Sequence, residues 1–314
     1  MTWAMDVASA QIATTVILNL SVAMAIGANA SRASLRSAGS AWALRQLDSL
    51  RMVALSSVAV ALAACFALLW LEAASMAEVP VTEAGAALPT VLASTHYGTA
   101  WTVGTCALTA FAILTALARN LHGTRATSIA AWLAVGTYLY TRSTVSHAGA
   151  TGDVSWAVAF DWIHLALASL WAGEVLVAGW FTLRVPASAI PERLERAAYV
   201  QGLSRAATMA LAGIVATGLF SAVRAIGSLE HASGNPYADT LLAKLALVAL
   251  AAVLGGSNRF FVMPGLLAHL RSSSPAAHPA ERRFTLVLQI EAIVLIAVLV
   301  AAALLSSTSP PGAG

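Results

Sequence analysis

The chain has 314 residues, of which 59% are hydrophobic and only 10% are charged, whereas average proteins carry roughly 25% charged residues. This composition excludes an ordinary soluble domain and is typical of a protein embedded in a lipid bilayer. The formal net charge of +3 is too small to favour a nucleic-acid partner, and the basic residues form no stripe apart from the loops between apolar stretches.

Eight apolar stretches are long enough to cross a bilayer as helices of about 20 residues. They comprise residues 8–29, 52–71, 97–118, 127–146, 158–181, 204–226, 240–258 and 285–306. Prolines fall between many of these stretches, and no change of composition separates two domains. We therefore predict an all-α fold in which residues 1–314 form one integral membrane domain, a bundle of eight transmembrane helices.

The first apolar stretch also has a feature of a secretory signal peptide, because Ala28-Asn29-Ala30 resembles a signal-peptidase site. However, the stretch is preceded by Asp6 and not by Lys or Arg, as it would be in a signal peptide. It is also longer than the apolar region of a signal peptide. We expect a first transmembrane helix that is retained.

The basic residues are distributed unevenly between the two sides of the predicted bundle. Fourteen of the 17 Lys and Arg residues fall in the connections after the first, third, fifth and seventh spans. Connections rich in Lys and Arg stay in the cytoplasm. The asymmetry predicts that both termini lie outside, and we expect a multi-pass protein of a bacterial inner (cytoplasmic) membrane with its termini in the periplasm.

Histidines are concentrated on the predicted outer side. Four of the seven are placed there, namely His96, His147, His164 and His231, whereas His122, His269 and His278 fall in inner connections. His164 lies roughly 10 Å below the outer end of the fifth span. If the third, fourth and fifth spans are neighbours, His96, His147 and His164 converge as a metal site. A lone histidine in a span is equally explained by a hydrogen bond to a neighbouring helix.

The fifth span, FDWIHLALASLWAGE at residues 160–174, carries three ionisable groups. Asp161 and His164 share a helix face at i and i+3, and a carboxylate there can orient the imidazole ring. Trp171 falls on nearly the same face. A charged carboxylate near a span centre costs roughly 2.5–3.5 kcal/mol, so Glu174 is expected to be protonated, paired, or lining an inward path.

Cys65 and Cys106 are two further candidate ligands, at depths comparable to that of His164. Thiolates suit Cu(I). Their spacing fits neither a zinc site nor a disulfide framework, and a role as small core residues within helices is the more common explanation.

Several short motifs occur in a fixed order along the second half of the chain. They are SHA at 146–148, HLALASLWAG at 164–173, and then KLALVALAA, NRFFVMPGL and LQIEAIVLIAVLV. In this order they resemble the copper resistance protein D (CopD) family. The resemblance is strongest over residues 140–300, whereas the first four spans agree only in number and direction. Glu174 stands where the family usually has a second Gly after the Trp, and Ala238 replaces the usual Gly after Tyr237.

The resemblance implies an inner-membrane protein that imports copper, as Cu(I) or Cu(II), from the periplasm and contributes to copper homeostasis or resistance. It also implies a periplasmic copper-binding partner. Imidazole by itself suits zinc, copper, iron or nickel equally well. The sequence has no GxxxxGK[ST] motif and no hydrolytic constellation, so we expect a non-enzyme whose transport is passive, ion-coupled or driven by a partner.

Two other functions fit the same features. Histidines on facing helices can hold a haem, which would make the chain a membrane cytochrome. Alternatively, the chain is a non-transporting subunit that docks a periplasmic copper carrier, for which the outer acidic residues Glu72, Glu78 and Glu83 offer a surface.

Overall fold

A computed structural model describes residues 2–118, 125–185, 187–226, 236–272 and 279–308. Ten α-helices occur in these ranges: α1 Thr2–Ser34, α2 Ala41–Met76, α3 Leu88–Ser94, α4 His96–Leu117, α5 Arg125–Thr144, α6 Trp156–Trp180, α7 Ile190–Ile226, α8 Pro236–Ser257, α9 Met263–Arg271 and α10 Pro279–Ser306. Short 3₁₀ helices at Val81–Ala86, His147–Thr151 and Thr182–Arg184 lie in the connections. The described ranges contain no β-strand, which confirms the all-α prediction.

Side-chain caps fix the start of three long helices. Ser40 accepts a hydrogen bond from the Ala43 amide at the start of α2, and Thr95 accepts one from Gly98 at the start of α4. Ser155 does the same for Val158 at the start of α6. Each hydroxyl satisfies an amide that has no partner within its own helix. The caps therefore set where the apolar helices begin, including the helix that carries His164.

Seven helical segments of the described residues are long and apolar enough to cross a membrane: Asp6–Ser34, Ala41–Met76, His96–Leu117, Trp156–Arg184, Ile190–Phe220, Tyr237–Arg271 and Pro279–Ser306. The predicted fourth span, residues 127–146, is present as α5, packed against α4 and α6. Its Thr, Gly and Tyr residues and Arg142 make it less apolar than the others. The fold is thus a multi-pass helical bundle, while the count of eight spans and the side of the termini stay predictions.

Several helices extend well beyond the predicted spans, because hydropathy marks only their apolar part. The clearest case is the seventh span, predicted at 240–258, which continues through a π-helical turn at Asn258–Val262 into α9. Pro264 lies in the first turn of α9. Since proline lacks a backbone N–H and crowds the preceding turn, the wider π turn accommodates it without ending the helix.

Helices α1 and α6 cross in direct backbone contact at the centre of the bundle. A Cβ atom added at Gly27 would overlap the backbone of Gly173, and one added at Gly173 would overlap the carbonyl oxygen of Ala23. Such crossings are typical of membrane helices, in which small residues allow close packing. Around this crossing one core joins α1 and α6 to α7 and α10, and a second joins α1 to α2, α4 and α5.

Candidate functional site

Helix α6 carries polar side chains at successive depths. Asp161 and His164 lie in its first half, and Trp171 and Glu174 lie in its second half. At 1.5 Å per residue, His164 is roughly 12 Å from the first residue of α6, and Glu174 is roughly 9 Å from its last. All four side chains are half-buried or buried. Their partners come from α5, α7 and α10, so the groups on α6 face the interior of the bundle.

The His164 ring is held by Thr217 on α7. The His164 Nδ1 atom lies 3.1 Å from the Thr217 hydroxyl oxygen, and that hydroxyl donates its proton to the Gly213 carbonyl at 2.7 Å. A hydroxyl has one proton to donate, and with that proton on the Gly213 carbonyl, Thr217 accepts a hydrogen bond from His164 Nδ1–H. In this neutral tautomer the Nε2 atom keeps a lone pair that can bind a metal ion.

Asp161 has partners of its own near the first turns of α6. The Ser146 hydroxyl donates a hydrogen bond to Asp161 Oδ2 at 3.0 Å, and Ser143 is a second side-chain partner. Lys244 on α8 interacts electrostatically with both Asp161 and His164. Within the described residues, Asp161 makes no hydrogen bond to the His164 ring. Thr217, which sequence reasoning missed, orients that ring instead.

Trp171 and Glu291 join α6 to α10 two helical turns further along α6. The Trp171 indole donates a hydrogen bond to Glu291 Oε1 at 3.2 Å, and Glu291 is 2% exposed. On the other side, α8 provides Gly255, where an added Cβ atom would lie 3.0 Å from the same oxygen. Glycine therefore leaves the space that the Glu291 carboxyl group occupies between the two helices.

Glu174 is the second buried acid of this interior, with 7% of its surface exposed. Its Oε2 atom is buried and has no hydrogen-bond partner within the described residues. The two buried acids thus differ, because Glu291 has an indole donor and Glu174 Oε2 has none.

The other predicted histidine ligands lie at the surface. His96 Nε2 forms an ion pair with exposed Asp153 at 2.9 Å, and His147 is exposed at the start of the 3₁₀ helix that follows α5. The described ranges contain no group of three or more His, Cys, Asp or Glu residues placed to hold a metal ion. The convergence of His96, His147 and His164 stays a prediction, and His231, His122 and His278 lie outside the described residues.

The two cysteines have different surroundings. Cys65 is buried and Cys106 is exposed, and neither forms a disulfide. The Cys65 sulfur lies 3.9 Å from the Tyr138 hydroxyl, and both line a partly open cleft of about 340 Å³ together with Tyr97 and Arg142. A ligand role for either thiol stays a prediction.

These features define the class of protein. The chain is a multi-pass membrane protein in which one helix presents a metal-competent imidazole and a buried acid to the bundle interior, and an indole to a second buried acid. Ionisable groups are costly in a membrane, so each requires a partner, a polar cavity or a neutral form.

Comparisons with known proteins give the family. The family described as "Copper resistance protein D" matches residues 197–305, and "Copper resistance protein D-like, N-terminal domain" matches residues 5–158. A copper resistance protein D of Pseudomonas syringae pv. tomato is 30% identical over 243 residues, covering 74% of this chain and 72% of that protein. The chain belongs to the copper resistance protein D family. No solved structure matches it.

The matched ranges extend the resemblance seen in the sequence. Sequence reasoning assigned the first four spans by number and direction only, yet residues 5–158 match the family's N-terminal domain. Most of α6, which carries His164 and Glu174, lies between the two matched ranges. The side chains of α6 are therefore assigned to the candidate site by their contacts alone. Lys244 and Glu291, by contrast, lie inside a range that matches the family.

Proposed function

We propose that this copper-related membrane protein carries copper ions from the periplasm across the bacterial inner membrane, with His164 as the first ligand inside the bundle. The observation that carries the proposal is the His164–Thr217 pair, at 3.1 Å. This hydrogen bond keeps the ring proton on Nδ1, so that Nε2 is unprotonated. Neutral imidazole is a suitable ligand for copper.

The path then follows α6 inward. From His164 the ion passes Trp171 and the interior acids Glu291 and Glu174, whose carboxyl groups can balance the charge of the ion inside the bundle. His96 and His147, at or near the surface of the same end, capture the ion before His164 does. Cys65 lies at the cleft that it lines with Tyr138 and Arg142, and we assign it no step in this path.

The orientation rests on the basic connections and on helix α5. Helices α4 and α6 are each followed by a basic connection, so both run inward under the positive-inside rule. The chain must return between them, and α5 is the helix that packs against both. We therefore infer that α5 crosses the membrane as well, which gives eight spans and both termini in the periplasm.

We also propose that a periplasmic copper-binding protein delivers the ion at the same end. Glu78 and Glu83, between α2 and α3, are exposed, whereas Glu72 accepts a hydrogen bond from Gln11 at 3.0 Å. The exposed pair is thus the part of the predicted acidic surface that remains accessible to a partner. The proposed function is transport, and because the sequence has neither a GxxxxGK[ST] motif nor a hydrolytic constellation, we assign the chain no enzymatic activity.

The experiment that tests this function compares cellular copper in cells that express the wild type, the His164→Ala variant or an empty vector. We expect higher copper in wild-type cells and a return to the vector level in His164→Ala cells at equal membrane abundance. Equal copper in all three strains would overturn the proposal. An absorbance spectrum of the purified protein adds a check, because a Soret band would indicate the haem alternative.

A further inference from the structure

Glu174 is the one buried acid on α6 whose carboxyl group has an oxygen with no partner in the part of the chain that the structure describes. It is 7% exposed and lies in the second half of α6, toward the end that is followed by a basic connection. Nothing in the proposed path explains how an acid is kept there without a matching cation.

Among the described residues, no cation forms an ion pair with Glu174. On α1, Gly27 lies against the Glu174 backbone nitrogen. On α7, Tyr199 interacts electrostatically with Glu174. On α10, Glu291 bonds to Trp171, one turn before Glu174 on α6. Of the two Arg residues of α5, Arg142 acts at the other end of α6, on Asp161, and Arg125 is exposed at the first position of its helix.

A carboxylate in such surroundings is strongly disfavoured, whereas a neutral carboxylic acid requires no cation. We therefore expect Glu174 to hold a proton while the bundle interior contains no cation. A second feature is required for the proton to be exchangeable, namely a route to water.

Buried hydroxyl groups extend from the neighbourhood of Glu174 toward the inner end of the bundle. The Tyr199 hydroxyl lies 3.0 Å from the Ser31 hydroxyl and donates to Thr182 Oγ1 at 3.5 Å. Ser31 is in the last turn of α1, and Thr182 lies two residues beyond the end of α6. All three side chains are buried. Since a hydroxyl both donates and accepts hydrogen bonds, these groups can pass a proton over the distance that they span.

We propose that Glu174 is a proton-binding site that exchanges its proton with the inner side of the membrane through Tyr199, Ser31 and Thr182. The proton is released when a copper ion enters the interior, a step that rests on the proposed transport function. The O–H bond of Glu174 breaks, its electron pair stays on the carboxylate, and the proton leaves through the hydroxyl chain. One positive charge thus leaves as the ion arrives, and Glu174 takes a proton back when the ion departs.

The proton site is tested without copper, by infrared spectroscopy of the purified protein in lipid. We expect a carboxylic acid C=O band that disappears in Glu174→Gln and persists in Glu291→Gln, the matched control. Transfer to D2O should shift the band, and Tyr199→Phe should retain the band but slow this shift several-fold. A wild-type spectrum that Glu174→Gln leaves unchanged would overturn the proposal, as would a Tyr199→Phe band that shifts as fast as the wild type.

The counter-charge role is tested by adding Cu(I) to the same protein in weak buffer with a pH indicator. His164 Nε2 is already unprotonated, so His164 contributes no proton. We expect the wild type to release a proton on binding and Glu174→Gln to release less. Binding with equal proton release in both would refute the counter-charge role. A wild type that binds no copper would instead refute the transport function, and the infrared result would still decide the proton site.

Discussion

Thr217 on α7 fixes the tautomer of His164 on α6, because its hydroxyl already donates to the Gly213 carbonyl and must accept from His164 Nδ1 at 3.1 Å. Outer partners of a metal-binding histidine typically change affinity by roughly 10–100-fold. We therefore expect Thr217→Val, which preserves the shape of the side chain, to weaken copper binding by that order. The measurement is the dissociation constant of Cu(I) for the purified protein.

The matched control for this change is Thr217→Ser, which keeps the hydroxyl. It should bind copper nearly as tightly as the wild type. If Thr217→Val and Thr217→Ser bind equally well, Thr217 does not orient His164 through its hydroxyl group.

The hydrogen bond from Trp171 to Glu291 is expected to stabilise the packing of α6 on α10. Trp171→Phe removes the indole donor to an acid that is 2% exposed. Leaving a buried acceptor unsatisfied costs about 1–3 kcal/mol, so we expect the free energy of unfolding in detergent to fall by that amount.

A double-mutant cycle isolates this bond. In the Glu291→Leu background, Trp171→Phe should cost much less than in the wild type, because the acceptor is gone. An equal cost in both backgrounds would mean that Trp171 contributes through packing alone.

The crossing of α1 and α6 predicts a strong size limit at Gly173. A Cβ atom there would overlap the Ala23 carbonyl oxygen, which belongs to the backbone and cannot rotate away. Overpacking typically costs about 1–3 kcal/mol, so we expect Gly173→Ala to lower the melting temperature clearly. Gly202→Ala on α7 is the control, since a Cβ atom added there meets no atom within 4 Å. Equal melting temperatures for the two variants would contradict the close crossing.

An ion pair between α7 and α10 is expected to hold the inner end of the bundle. Arg196 Nη1 lies 3.1 Å from Glu281 Oε2, and the Arg196 side chain is only 4% exposed. Removing the partner of a buried charge is strongly destabilising, by about 3 kcal/mol, so Glu281→Gln should reduce the free energy of unfolding by that order.

The control for this prediction is the pair between Arg45 and Glu192, in which the Arg45 side chain is 57% exposed and Glu192 keeps its bonds to the Ser188 and Ala189 amides when Arg45 is replaced. Exposed pairs contribute about 0–1 kcal/mol, so Arg45→Gln should change stability little. A larger loss in Arg45→Gln than in Glu281→Gln would show that burial does not determine the strength of these pairs.

The sequence predicted the helices of the bundle well, because about 20 consecutive apolar residues identify a span without any knowledge of its neighbours. Hydropathy indicates a span least clearly at α5, whose Thr, Tyr and Arg142 make it the least apolar of the eight stretches. The predicted spans were shorter than the helices, since α1, α2 and α7 continue as helices through polar residues that hydropathy excludes.

The sequence did not reveal which side chains of neighbouring helices contact one another. Spacing along α6 indicated that Asp161 and His164 share a face, but it contains no information on which residue of α7 opposes that face. Spans that are apolar on all sides give no periodic pattern to fix their rotation. Thr217, Gly255 and Tyr199 are ordinary residues in such helices, and only the packed bundle reveals what they contact.

Copper transport by this chain alone can be measured as copper uptake into liposomes that contain only the purified protein and enclose a Cu(I) indicator. We expect uptake by the wild type above that of protein-free liposomes and a loss of that uptake in His164→Ala. His269→Ala, which loses an ion pair with Glu281 but lies in the last turn of α9 away from the α6 path, should retain uptake at an equal amount of folded protein. Uptake by His164→Ala at the wild-type rate, or no uptake by folded wild-type protein, would contradict the proposed transport.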